Sequence, residues 1–565
     1  MLCSLENLLA FERNGNLACL DRSCNDITEQ MRIDEFLWYL QIEERFLIVR
    51  PNTYFYVVAL FHRCCEMLVF PKEQIRLYLV TCMFLAQKKI ELMLDDISFY
   101  VNETGFAAED IMNTEREILD AMNYNIEIPN VMEYIRYICY VSGTCNKVQS
   151  LTEILCIVYS MYDFCVIPSV LVTTAHHIAC HIIHDHQNED EYDVRFNPFS
   201  IDTRVVFSVS IHILTRVNQH CDDSWICRKI QQKLVWVDIV KDFNLLSFPT
   251  VEEISEQYTP KHYIGLRKRI HTINKKYMIK VYEIGSGTYG KVYKSMIDGY
   301  LYAYKHTLVA DSDQGISYTF IREVSMLQML SHKNIVTLHF IVLSGAQNVT
   351  GIILDLMDYD MQSYIQSPDN VRTNNQFRDR CTKDLLEGLV YMHSNGVLNR
   401  DIKPQNILIK GIWPNIEIKY CDFGAVRGAG IVNLDDKYTG GPVTLWYRSI
   451  ELLLGADTYG PGIDVWALMC TLFEICIGHP LFCGNTIAIV TKNVFGIMGT
   501  PTNDTWQGVT LLPNYPLDNW ILPSMKHRYI VPSSNIMYVV NKGLIMDPSK
   551  RPSAKTLLEY FYDLC

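Results

Sequence analysis

Residues 281–294 read V-Y-E-I-G-S-G-T-Y-G-K-V-Y-K, with apolar side chains alternating around Gly285, Gly287 and Gly290. This alternation predicts a two-stranded hairpin, and glycines at its turn let the backbone approach phosphate oxygens closely. A dinucleotide-binding turn uses the same glycine spacing but opens a helix, whereas Lys291 to Tyr304 continues as strand-like alternation. Further on, in order, come Lys305, Glu323, Asp401, Lys403, Asn406 and Asp422. Taken singly, each is the kind of residue that normally sits solvated on a surface. Together they supply cations for phosphate, carboxylate and amide oxygens for a hard metal ion, and a carboxylate able to take a proton.

The elements around these groups divide the chain. From Met31 to about Tyr263 it reads as helices with little turn chemistry, in two passes separated near Pro129, which predicts an all-α domain of two similar bundles. The 565 residues suggest about three or four domains, and 49% hydrophobic content is ample for packed cores. A net charge of −13 argues against nucleic acid or an anionic membrane surface as partner and favours proteins. The 19 cysteines are scattered and Met1 to Leu9 lacks a basic leader pattern, so they read as reduced thiols of a nuclear or cytoplasmic protein. The apolar run Leu151 to Ile183 is broken by Asp163 and Pro168, so no transmembrane segment is expected.

The ordered motifs Y-A-Y-K (302–305), L-N-R-D-I-K-P-Q-N-I-L (398–408) and C-D-F-G (421–424) resemble a protein kinase over 277–565. The resemblance implies ATP and Mg²⁺. Lys305 would hold the α- and β-phosphates with Glu323 as its partner. Asp401 would accept the substrate hydroxyl proton, Lys403 would steady the transferring phosphoryl, and Asn406 and Asp422 would bind metal. Ile284, Gly285, Gly287, Gly290, Val292, Ala303 and Leu408 would enclose ATP, with Leu354 to Met357, including Asp355, as gatekeeper and hinge. Lysine two residues past Asp401 points to Ser/Thr specificity.

The helix G-I-S-Y-T-F-I-R-E (315–323), T-L-W-Y-R (444–448) and G-T-P-T-N-D-T-W (499–506) resemble a cyclin-dependent kinase. That implies an activating phosphorylation at Thr439, gripped by Arg322, Arg400 and Arg427, and an inhibitory pair at Thr288 and Tyr289. Val443 keeps the position that favours a proline after the phosphoacceptor. Asn399 replaces the family's histidine, Ser449-Ile450-Glu451 replaces Ala-Pro-Glu with Glu451 left to pair with Arg551, and Gly440-Gly441-Pro442 departs from the family's loop.

M-R-I-D-E-F-L-W-Y-L (31–40), L-A-Q-K (85–88) and E-R-E-I-L-D-A-M-N-Y-N-I-E-I-P (115–129) resemble a cyclin box. Segments at 151–155 and 167–175 resemble a second box, and I-S-E-Q-Y (254–258) resembles its closing segment. Lys88 and Glu115 match the cyclin pair that bonds the kinase helix, whose Ile316 and Ile321 complete the expected interface. Met31 and Trp38 match a substrate-docking patch, but Glu35 stands where an apolar residue is expected. The helical spacing of His177, His181 and His184 suits packed histidines better than a metal site, since no carboxylate–histidine motif accompanies them.

The expected fold is therefore multidomain: an all-α two-box cyclin fold followed by a bilobal α+β kinase fold. Its parts are a first box within 1–130, a second box and closing segment at 131–265, a linker at 266–276, an N-lobe at 277–357 and a C-lobe at 358–565. The linker, with Arg267-Lys268-Arg269 and Lys275-Lys276, reads as a solvated tether spanning at most ~40 Å. The expected activity is transfer of phosphate to Ser/Thr-Pro sites by a kinase switched on by its own cyclin module, in cis or in trans. Such an economy suits a large DNA virus, acting in the host nucleus or cytoplasm. The alternative is a weak kinase whose cyclin surface captures host cyclin-dependent kinases or their inhibitors.

Overall fold

The computed structural model describes Met31, Glu35 and Trp38, then 51–90, 96–126, 131–142, isolated helical positions between 148 and 179, and most of 271–564. Thr288, Tyr289, Thr439, the loop 440–443, the closing segment at 254–258, and His177, His181 and His184 lie outside the described residues. Among the described residues no helix is long and apolar enough to cross a membrane. The chain divides into two compact units. One takes Ser4–Arg267 together with Asp311–Tyr318, and the other takes most of the remainder.

The first unit is helical where described. Helix α1 (Pro51–Met67) opens on a proline, whose missing N–H costs nothing in a first turn, and α2 (Ile75–Ile90) packs against it. Helix α3 (Ile97–Thr104) starts where the Asp96 carboxylate accepts the Ser98 N–H and stops at Gly105, which takes the left-handed conformation. Helix α4 (Ala108–Ala121) buries Ile111, Thr114, Glu115, Ile118 and Leu119, the spacing of a single helix face. A carboxylate therefore sits within an otherwise apolar stripe. Helix α5 (Val131–Ser142) continues the bundle against α1.

The second unit has a sheet lobe and a helical lobe. Six strands run in the order β1-β5-β6-β4-β3-β2: β1 His271–Asn274, β2 Ile279–Gly287, β3 Gly290–Ile297, β4 Tyr300–Thr307, β5 Leu338–Ser344 and β6 Asn348–Leu354. Helix α6 (Tyr318–Met329) lies between β4 and β5 in sequence. Met278, Ile297, Tyr304, Val342 and Ile353 form a core on one sheet face, with Ile273, Tyr302 and Phe340 packed around it.

This corrects the expected linker at 266–276. His271 to Asn274 pair in parallel with Phe340 to Leu343, and Asn274 caps the 3-10 turn Lys275–Tyr277 that leads to buried Met278. A four-residue strand of mixed polarity carries too short a pattern to be read from sequence, and its partner lies some seventy residues away.

The helical lobe is built on α7 (Asn375–Ser394) and α8 (Gly462–Ile477), with α9 (Asn535–Gly543) and α10 (Ala554–Tyr562) packed against them. Short strands β7 (Tyr359–Asp360), β8 (Val397–Leu398), β9 (Ile407–Ile412), β10 (Asn415–Tyr420) and β11 (Arg427–Gly428) carry the loops between them. The expected Glu451–Arg551 pair is present and buried, with two bonds of 2.7 and 3.0 Å. Arg551 also donates to the carbonyls of Gly462, Ile545 and Met546, so its guanidinium braces three segments.

Candidate active site

The glycine hairpin forms as expected: β2 and β3 run antiparallel, with Gly287 opposite Gly290 and Gly285 opposite Val292. Gly290 has φ +145°, a conformation closed to most side chains. Ala303 and Lys305 alternate on β4, which points both side chains away from the core that contains Tyr304. Ala303 is buried opposite Leu354, Val292 and Leu408 are half-buried, and Ile284 is exposed.

Lys305 Nζ lies 2.6 and 2.9 Å from the Glu323 carboxylate oxygens and 3.3 Å from Asp422 Oδ1. Burial opposes the ammonium charge, but the Glu323 and Asp422 carboxylates outweigh it and hold the Lys305 pKa above its ordinary value. Helix α6 supplies Glu323 from a stretch, Phe320 to Leu327, that is buried on every side.

Asp401 receives 2.7 Å from Lys403 Nζ and 2.8 Å from Asn406 Nδ2, which also reaches the Asp401 carbonyl at 2.9 Å. Burial lifts the Asp401 pKa and nearby Asp422 adds to this, while Lys403 pulls it down. Arg400 and Asp422 both take left-handed backbone conformations, φ +70° and +59°, uncommon for residues with a Cβ. The turn at Arg400 is fastened by Asp464, which is fully buried in the first turn of α8. Its carboxylate accepts the N–H groups of Asn399 and Arg400 at 2.8 Å each and contacts His393 at 3.0 Å.

Sequence reading missed Asp464. It is one of two carboxylates, with Glu474, in a helix that is otherwise almost wholly apolar. Asn399, which stands where the family has histidine, is itself buried, and its amide oxygen accepts the Asp401 N–H at 3.2 Å.

Asp355, of the expected hinge, donates its N–H to the Thr337 carbonyl, and its carboxylate binds His339, Lys419 and the Thr337 N–H. Burial disfavours that carboxylate's charge, yet these bonds hold its pKa well below the usual range. Met357, also of the expected hinge, is nearly buried. Arg322 is buried, the Arg400 guanidinium lies 5.5 Å from the Tyr459 ring, and Arg427 is described only through its backbone pairing with Leu398.

A protein kinase domain model matches residues 278–562 and a cyclin N-terminal domain model matches residues 7–127. The chain belongs to the protein kinase family. It joins a helical cyclin region to a kinase with a sheet lobe and a helical lobe. The kinase domain implies ATP as phosphate donor and the usual Mg²⁺. The donor chemistry suits that ion: the Asp422 carboxylate, about one-third exposed, and the Asn406 amide offer hard oxygens beside Lys305 and Asp401.

In the cyclin region, Lys88 on α2 and Glu115 on α4 meet at 2.6 Å with almost no exposure. Burial pushes Lys88 down and Glu115 up, and their mutual contact works the other way. Glu115 Oε2 also accepts the Ile316 N–H at 3.0 Å. Gly315, at φ +68°, lies so close that a Cβ there would collide with Glu115 and crowd Lys88. The segment entering α6 is thus part of the helical unit, as its grouping with residues up to Tyr318 also records. In the expected docking patch, Glu35 is bonded twice to Arg76, at 2.7 and 3.1 Å, and the Arg76 guanidinium lies 4.4 Å from the Trp38 ring.

Proposed function

We propose that this protein is a Ser/Thr kinase of the cyclin-dependent type, directed to Ser/Thr-Pro sites and activated by its own cyclin module. We also assign 131–265 to a second cyclin box, Thr439 to activating and Thr288 with Tyr289 to inhibitory phosphorylation, and the nucleus or cytoplasm as its place of action. The observation that carries the reading is the continuous run of bonds at α6. Glu115 accepts the Ile316 N–H just before the helix, and Glu323 within it contacts Lys305.

In this mechanism the Asp401 carboxylate accepts the hydroxyl proton of the substrate Ser or Thr as that oxygen attacks the γ-phosphorus of ATP. The bond to the β,γ-bridging oxygen breaks and ADP leaves. Lys403 holds Asp401 ionised and faces the incoming negative charge, and Asn406 orients Asp401 through two hydrogen bonds. Lys305, kept charged by Glu323, pairs with the α- and β-phosphates. Asp422 and Asn406 would hold Mg²⁺, which supplies electrostatic stabilisation of the phosphate oxygens. The capture alternative draws its support from Asn399 and the altered loop 440–442; the Asp401 N–H donated to the Asn399 side chain weighs against the first of these.

The test is phosphate transfer from labelled ATP to a Ser-Pro peptide by the full-length protein with no cyclin added. Activity that is lost in Asp401→Asn and weak on the matched Ser-Ala peptide is expected. Equal silence of wild type and variant would overturn the reading.

A further inference from the structure

We propose that the outer face of the sheet lobe holds a docking site for a phosphate monoester, of the kind carried by a protein substrate already phosphorylated on Ser or Thr. The site is built from Lys275, on the turn between β1 and β2, with Lys280 on β2 and His306 on β4. Lys280 Nζ lies 3.9 Å from the Tyr293 ring and 5.0 Å from the Tyr304 ring, and the His306 ring lies 5.7 Å from that of Tyr304. Strand alternation puts Tyr304 and His306 on the face opposite Ala303 and Lys305, so this cluster is separate from the ATP site.

Among the described residues, neither Lys275, Lys280 nor His306 has a carboxylate within ion-pairing distance, whereas neighbouring Lys291 is paired with Glu283 at 3.0 Å. Burial and Lys275 lower the Lys280 pKa, and burial, Lys280 and Lys275 lower that of His306, so the groups feel one another's charge without an acid to relieve it. The sequence makes the same point independently. Between Gln257 and Tyr282 there is no Asp or Glu and there are seven Lys or Arg, in a chain of net charge −13. A concentrated cationic spot on a strongly acidic molecule favours a compact dianion over a long polyanion, which the rest of the surface repels. The role in substrate capture rests on the kinase reading, but binding itself does not. The reaction class that must supply such a substrate is an earlier phosphoryl transfer.

The experiment measures binding to full-length protein without ATP, so a failure of catalysis leaves its outcome untouched. The probes are a fluorescent phosphoserine peptide, its unphosphorylated twin and a single-stranded oligonucleotide. Saturable binding of the phosphopeptide is expected, competed by inorganic phosphate and at least about tenfold tighter than the twin. Lys280→Met and Lys275→Met should each weaken it by about tenfold, the scale of one charged hydrogen bond. Both variants keep the aliphatic stem, and matching thermal unfolding to wild type establishes that they fold. Equal binding of the two peptides, unaltered affinity in both variants, or stronger binding of the oligonucleotide than of the phosphopeptide would overturn the proposal.

Discussion

Lys403 sets the protonation of Asp401 by lying 2.7 Å from it, and this gives a pH signature at the scale of one residue. Burial raises the Asp401 pKa and Lys403 lowers it, so the ionised base is lost on the acid side at a higher pH than for a free aspartate. Lys403→Met removes the lowering influence. The acid limb of the kcat/KM profile should therefore move to higher pH. Asp401→Asn should instead cost about 10²- to 10⁴-fold at the plateau and remove the limb, since no titrating base is left. A Lys403→Met profile with its limb unmoved would show that another group controls ionisation. These residues were legible in sequence because the chemistry fixes their local spacing. Asp464 was not, since its role depends on a contact across sixty-odd residues that no local pattern announces. Asn399 was read as a loss, because its burial and its bond to Asp401 depend on the fold around it.

Helices α2 and α4 meet through Lys88 and Glu115, and their pair is too deeply buried for either charge to survive alone. Glu115→Ala should cost about 3–5 kcal/mol by stranding Lys88. The paired change Lys88→Met with Glu115→Leu should recover much of that in thermal unfolding while leaving the Ile316 N–H without its acceptor. If the double variant is stable yet as active as wild type, the bond from Glu115 to Ile316 has no part in activation. Gly315→Ala tests the same junction from the other side. Its positive φ and the absence of room for a Cβ predict destabilisation of more than about 1 kcal/mol, measured by denaturant titration. Strand β1 is a separate lesson in legibility. Its partner is distant in sequence, so only the folded sheet revealed that the expected tether ends in a strand. Ile273→Ala should accordingly lower the midpoint of unfolding, because Ile273 packs against the sheet core whereas a solvated linker residue would cost nothing.

For the whole molecule the consequence of one continuous chain is kinetic. A kinase that waits for a separate activator has a specific activity that falls on dilution once the concentration drops below the dissociation constant. Two modules joined by a short segment see each other at an effective concentration in the millimolar range when geometry permits, whatever the concentration in the tube. The sequence allows pairing either within one molecule or between two. In the first case each molecule is served by its own module. Turnover per molecule should thus be constant when full-length protein is diluted from micromolar to low nanomolar in the phosphotransfer assay. A second-order fall in rate, rescued by adding the Asp401→Asn protein as an inactive source of cyclin module, would instead establish exchange between chains. The rescue separates the two cases because a molecule already served by its own module gains nothing from another's.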